Sequence, residues 1–287
     1  MAIKLTNEHL RELAKDQSLI VGRLSRWLEE KQPGQFPRSN YIHPSALSRD
    51  DFCERAAYHE MADSPVLRKG AGFSSAILRI MEEGTTTHVK WQNWIWAYGE
   101  LTGMFGCLRC DHEWWATSPS KCPKCGYGRP YLEYREVPLA DEDTLLKGHA
   151  DLRVGMALGE IKTVGLGSVR IEAPNLYRRY THFVQDAGAN GKELVDISAL
   201  WNAIKRPFPA HIKQLQLYLY ISGLDRGFVI YECKWNQQPK EMFVPYTWSI
   251  VEPLLETCYD LKYALTRGTP PRCPHGSSCE RCAIYYP

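Results

Sequence analysis

Apolar and polar positions recur along this chain with two periods, one near 3.6 residues and one of two, and the switches between them mark its elements. In residues 6–31, Leu10, Leu13, Ile20, Leu24, Trp27 and Leu28 fall at roughly helical spacing and predict one or two amphipathic helices. Pro and Gly break that pattern in residues 32–40. Ser45 or Ser48 can cap a following helix that carries Cys53 and Arg55. The pattern is helical again over residues 73–98. A strand over 131–138 leads into residues 147–164, which read as two short strands joined through 155–159. A long irregular connection follows Thr163, then a helix over 211–221, a buried strand over 227–235 and a helix over 251–265. Strands enclosed by helices in this order imply a mixed sheet flanked by helices, an α/β architecture.

The chemistry concentrates in residues 147–164. Strand alternation turns Glu160 and Lys162 to one face and Ile161 to the other, and pairing with the first strand lets Asp151 converge on them. Two carboxylates and an ammonium in apolar strands are costly to desolvate unless they pair or hold a hard cation. Asp and Glu oxygens suit Mg2+ or Mn2+, with Lys162 placed to orient or help deprotonate a water. The plainer alternative is a solvated hairpin face with a Glu/Lys pair. Within the 73–98 helix, Gly84, His88 and Gln92 share one face, where the glycine would let another element approach closely. His88 then either completes a metal shell, touches a phosphate, or is a hydrogen-bonded core histidine. Glu133 or Glu136 is expected at the edge of the site. His211, Gln214 and Tyr218 lie on one face of their helix.

Composition narrows the setting. The 287 residues are 44% apolar and 24% charged with a net charge of +2, so bulk electrostatics do not mark a nucleic-acid binder and any DNA contact needs a local patch. After Thr163, seven basic residues face four acidic ones up to Lys213, interleaved with Tyr177, Tyr180, Phe183 and Trp201. Arg170, Arg178, Arg179, Lys205 and Arg206 are therefore candidates for a strand-binding groove, with a solvated loop as the alternative. No apolar run approaches the roughly 20 residues that span a bilayer, and the N-terminus lacks a signal-peptide core, so a cytoplasmic protein without membrane contact is expected. Ten cysteines in a reducing compartment then need a reason. Cys107-x2-Cys110-x11-Cys122-x2-Cys125 has zinc-ribbon spacing, with Trp114 and Trp115 between the knuckles as packing residues. Cys53 stands alone, Cys273, Cys279 and Cys282 cluster at the end, and Cys233 and Cys258 are left over.

Gly84-x3-His88, Gly148-x2-Asp151, Glu160-Ile-Lys162 and Gln214-x3-Tyr218, in that order, resemble the RecB-like branch of the PD-(D/E)XK nucleases. Cys53 upstream and the three cysteines downstream resemble its iron-sulfur members, the CRISPR-associated RecB-like exonucleases and related phage exonucleases. The resemblance spans residues 45–282 and implies a restriction-endonuclease-like core over 41–287, after an N-terminal helical segment 1–40. A zinc ribbon would be inserted at 105–128 and a Cys-rich metal-cluster closure would form at 270–287. By the same resemblance His88, Asp151, Glu160 and the carbonyl of Ile161 hold Mg2+ or Mn2+, Lys162 positions the water, and Gln214 and Tyr218 shape the site and contact DNA. Cys53, Cys273, Cys279 and Cys282 would hold a 4Fe-4S cluster. The implied activity is exonucleolytic hydrolysis of DNA with a free end, in phage or bacterial end processing, recombination or replication, beside an annealing protein, a helicase or a CRISPR integrase. Two features depart from the family. The terminal spacing is C-x5-C-x2-C rather than C-x2-C-x5-C, which leaves zinc, with His275 as a ligand, as the other occupant. The ribbon is not required by the family pattern and would recognise DNA or a partner. A non-catalytic DNA-binding or adaptor subunit is the rival reading, and an RNA-directed nuclease a third.

Overall fold

The structure is a computed structural model and describes residues 20–32, 40–62, 72–184, 192–276 and 279–283. Of the N-terminal amphipathic stretch, helix α1 (Val21–Glu30) is described, while Leu10, Leu13 and residues 33–39 of the break lie outside the described residues. Helices α2 (Pro44–Leu47) and α3 (Glu54–Met61) follow. Cys53 is the N-cap residue of α3 rather than a helical residue, and neither serine caps that helix. Ser48 lies at the end of α2, and its hydroxyl donates to the Ser45 carbonyl at 3.2 Å. The expected long helix is α4 (Ser75–Tyr98), started by Ser74, whose hydroxyl accepts the Ile77 amide at 3.4 Å.

Strands β1 (Thr102–Cys107), β2 (Glu113–Thr117) and β3 (Leu132–Tyr134) form an antiparallel sheet in the order β2-β1-β3. The strand expected over 131–138 is two strands, because Glu136 takes a φ of 61°, which a ladder cannot continue. Beyond it β4 (Val137–Asp141) pairs with β5 (Leu146–Ala150) instead. The hairpin of β6 (Leu152–Val154) and β7 (Ala157–Val164) forms, but its turn is residues 155–156 rather than 155–159, and Asp151 precedes β6 instead of lying on the first strand.

The connection after Thr163 is not irregular. It contains α5 (Leu166–Glu172), α6 (Pro174–Arg179), the hairpin β8 (Thr181–Val184) and β9 (Lys192–Val195), and α7 (Ile197–Ala203). Then come α8 (Pro209–Ser222), β10 (Arg226–Cys233), β11 (Pro239–Pro245), α9 (Trp248–Arg267) and α10 (Glu280–Ala283).

The central sheet has the order β11-β10-β7-β6, with β7 parallel to β10 and the other pairs antiparallel, which makes it mixed. Leu158 and Val164 of β7 belong to the core cluster that holds Leu215 and Tyr218 of α8 and Trp201 of α7. Ile161 belongs to a second cluster, with Trp96 of α4 and Phe105 of β1. Covered on both faces, β7 buries Glu160 as completely as Ile161. Among the described residues, no helix is long and apolar enough to cross a membrane.

Candidate active site

Asp151 occupies the single residue between β5 and β6. Its Oδ2 accepts the Ile161 amide of β7 at 2.7 Å, and its Oδ1 stands 3.4 Å from His88 Nδ1 on α4. Four residues further along α4, Gln92 donates to the Asp151 carbonyl at 3.2 Å and reaches Glu136 Oε1 at 3.4 Å. One ligand atom each from His88, Glu136 and Asp151 lies within 4.8 Å of the others. Glu160, expected in the metal shell, lies outside that group; on β7 its Oε2 accepts Lys162 Nζ at 2.7 Å and Gln214 Nε2 of α8 at 2.9 Å. Its Oε1 is buried with no hydrogen-bond partner. A buried acceptor left this way is costly, and a hard divalent cation beside a nitrogen and oxygen donor set would answer the cost.

The structure therefore brings together His88, Asp151, Glu160, Lys162 and Gln214. Tyr218, one turn beyond Gln214, closes over β5. A Cβ at Gly148 would lie 2.9 Å from its hydroxyl and 3.2 Å from Pro44 Cδ, which is why a glycine stands there. Gly84 does not admit a neighbouring element, since a Cβ there would meet nothing within 4 Å. Glu136 belongs to the site and Glu133 does not, being exposed and 3.5 Å from Arg135.

Charge is unevenly shared in this pocket. Burial, then the Asp151 charge, pushes Glu160 up to about 8. Burial acts on Asp151 in the same sense, but the His88 hydrogen bond and the Lys162 charge outweigh it and hold this carboxyl below its usual value. Burial disfavours protonated His88 and Lys162; the bond to Asp151 overcomes it for His88, the Glu160 charge for Lys162, and both shift upward. Glu136 is raised by burial and by Asp151. Burial and mutual repulsion thus push Glu136 and Glu160 toward the neutral form, and a cation among the three carboxyls would favour their ionised forms.

A cleft of about 970 Å³ opens beside Lys162, with Arg49, His211, Lys234 and Trp235 in its walls and Asp50, Glu83 and Glu172 among them. Burial, aided by Lys162, drives His211 down to about 3, so it is neutral, with Nδ1 2.6 Å from the Tyr231 hydroxyl. Arg170, Arg178, Arg179, Lys205 and Arg206 are exposed, and none of them lines this cleft.

The ribbon cysteines converge, with 3.5 Å between the Cys107 and Cys125 sulfurs and 3.8 Å between those of Cys110 and Cys122. Both knuckles fold alike. Asp111 and Gly126, each following the second cysteine of its pair, take φ values of 53° and 75° and return their amides at 2.9 Å to Cys107 and Cys122. Trp114 packs against the cluster around Phe105, while Trp115 is exposed beneath Arg153. At the other end of the chain, Cys53 Sγ is 3.7 Å from Cys273 Sγ and 3.3 Å from Cys282 Sγ, and Cys279 completes the group. His275 stays outside it and donates from Nε2 to the Phe52 carbonyl at 2.9 Å. Cys233 and Cys258 are buried in separate apolar clusters.

No protein-family model matches this chain, and no curated protein matches it. Among solved structures it is similar to an alkaline exonuclease (LHK-Exo) from Laribacter hongkongensis, at 14% identity and a TM-score of 0.40 over 80% of this chain and 90% of that one. The same exonuclease in complex with dAMP matches at 11% identity and a TM-score of 0.40, over 85% of this chain and 93% of that chain. The structure of SSO0001 matches at 16% identity and a TM-score of 0.36, over 86% and 88%.

Proposed function

We propose that this protein is a divalent-metal-dependent deoxyribonuclease, an exonuclease acting at free DNA ends in end processing, recombination or replication. The observation that carries the reading is the gathering of His88, Glu136 and Asp151 beside the Glu160–Lys162 pair, whose Lys162 lines an open cleft. Those three residues, with Glu160 and the Ile161 carbonyl as further donors, would hold Mg2+ or Mn2+. A cation held there supplies Lewis acidity to a phosphodiester and acidifies a water molecule.

The chain's own groups do the rest. Lys162 remains an ammonium, held 2.7 Å from Glu160, and lines the cleft where a phosphate would enter. It sets positive charge against the charge that develops on the phosphate and orients the attacking water. Gln214 fixes the Glu160 carboxylate and Gln92 fixes the Asp151 backbone, so neither acid has to reorganise during reaction. Tyr218 shapes the pocket from α8. Arg49 and Lys234 are the cleft's phosphate contacts, and the exposed Arg170, Arg178, Arg179, Lys205 and Arg206 serve the DNA strand outside it. In the ribbon, Cys107, Cys110, Cys122 and Cys125 would supply all four ligands of a zinc ion, leaving it no open position and a structural role.

The test is digestion of end-labelled linear DNA and of a closed circle of the same sequence, in Mg2+ and in Mn2+. The wild type should degrade the linear DNA and spare the circle, and Asp151→Ala should be slower by at least about 100-fold while still binding DNA. Equal rates for wild type and Asp151→Ala reject the active site. Binding without turnover by the wild type establishes the adaptor reading instead, and cleavage confined to RNA the RNA-directed one.

A further inference from the structure

The second cysteine set has a geometry that decides between its two occupants. In a four-iron cluster each thiolate binds a different iron, and a sulfide-bridged core lies between them, so the four Sγ atoms must stand apart by more than the width of that core. A two-iron cluster separates its two thiolate pairs in the same way. Here the Cys53 sulfur is 3.7 Å from that of Cys273 and 3.3 Å from that of Cys282, and all four sulfurs lie within 4.8 Å of one another. No iron-sulfide core fits inside them. Four sulfurs bound to one tetrahedral ion at about 2.3 Å stand about 3.8 Å apart. The ribbon, with its 3.5 and 3.8 Å separations, has the same spacing.

The chain order agrees. Cys279-x2-Cys282 repeats the two-residue gap of both ribbon knuckles at the start of α10, and Cys273 and Cys53 supply the remaining two thiolates. His275 of the same segment is engaged with the Phe52 carbonyl, and the four clustered ligand atoms are all sulfurs. We infer that Cys53, Cys273, Cys279 and Cys282 hold a single zinc ion, so that the chain carries two tetrathiolate zinc sites and no iron-sulfur cluster. Zinc itself has no redox chemistry, and the closure of the chain then needs no supply of iron. The inference stands apart from the nuclease reading, since it concerns what the cysteines bind whether or not DNA is cut.

The experiment uses the full chain, purified anaerobically from cells grown with both metals, and measures zinc, iron, acid-labile sulfide and the visible spectrum. The expected result is two zinc ions per chain, no iron, no sulfide and no colour. Cys282→Ser and Cys125→Ser should each retain one zinc. Because either variant can fail to fold, X-ray absorption at the zinc edge of the wild type supplies a second measurement, and should report only sulfur ligands at about 2.3 Å for both ions. Iron and sulfide in a brown wild-type protein would overturn the inference, and so would a single zinc per wild-type chain.

Discussion

Glu160 and Asp151 are two carboxyls in one pocket with opposite titrations, because their partners differ. Asp151 is met by the Ile161 amide and by His88, whereas Glu160 has one oxygen satisfied and the other bare. Burial and the Asp151 charge raise Glu160 from 4.5 to about 8. A folded-state pKa above the unfolded one means that the folded protein holds an extra proton between those values. The resulting stability is complete below about 4.5 and is lost as pH rises through about 8. His88, also raised, acts in the same sense over the upper part of that window. Without divalent metal, thermal unfolding should therefore move to lower temperature between pH 5 and pH 8. Glu160→Gln should flatten that slope, and Mn2+ should restore the wild type most at the alkaline end; a slope unchanged in Glu160→Gln would contradict the assignment. The amides that hold the acids matter next. Gln214→Ala and Gln92→Ala should each lower metal affinity or turnover by about 10- to 100-fold, read from a Mn2+ titration of DNA cleavage. Asp151, Glu160 and Lys162 were legible in the sequence because strand alternation alone puts the latter two on one face. Glu136 was legible only as a neighbour, since a positive φ at a non-glycine residue, the feature that carries it to the site, leaves no mark in a hydrophobic pattern.

At the scale of elements, the site exists because α4 and α8 are held at fixed heights over β5 and β7. Buried Glu232 of β10 accepts from Lys90 and, at 2.8 Å, from the Trp91 indole, which sets the roll of α4 and so the direction of His88. On the other side the contact between Gly148 and Tyr218 sets how closely β5 and α8 approach. Gly148→Ala would force a methyl into that contact and should cost about 1–3 kcal/mol in chemical denaturation. Removing the hydroxyl with Tyr218→Phe in the same chain should recover part of the loss, because the 2.9 Å clash disappears while the contacts with the ring Cε1 at 3.1 Å and with Pro44 at 3.2 Å stay. Additive losses in the double variant would show that this packing does not set the distance. The long elements were readable from their period: α4, α8 and β10 lie where the pattern puts them. The stretch after Thr163 was not, because α5 and α7 have seven residues and α6 six, too few turns to reveal a period. Pro174 at the start of α6 and Asp196, whose carboxylate caps α7 by accepting the Ala199 amide at 2.9 Å, were its local signals.

Across the whole molecule, the cysteine cluster after α9 brings the far end of the chain to residues that build the cleft. Cys53 follows directly on Asp51 and Phe52. His275 binds the Phe52 carbonyl, and Arg281 reaches Asp51 at 2.8 Å while Arg49 holds the other oxygen of that carboxylate at 2.8 Å. Arg49, and then Arg281, keep Asp51 ionised far below the usual carboxylate range, and Arg49 and Asp51 both line the cleft. A metal ion held by Cys53, Cys273, Cys279 and Cys282 would thus brace a wall of the candidate active site without touching its chemistry. The two kinds of metal site should separate under chelation. Stripping the hard cation with EDTA should abolish hydrolysis and leave the chain closed. Displacing the thiolate-bound ion with an organomercurial, or breaking the site with Cys279→Ser, should instead free the segment beyond α9. Trypsin should then cut after Arg272 at least about tenfold faster, since cleavage next to a ligating cysteine requires that end to open first. DNA affinity should fall with it, through loss of the Arg281 brace, while turnover at saturating DNA and Mg2+ persists. If Arg272 is cut equally fast with the thiolate site intact and broken, the four cysteines do not close the chain, and the cleft wall is held by contacts such as the packing of α2 on α8 and the Lys213–Asp50 ion pair at 2.7 Å.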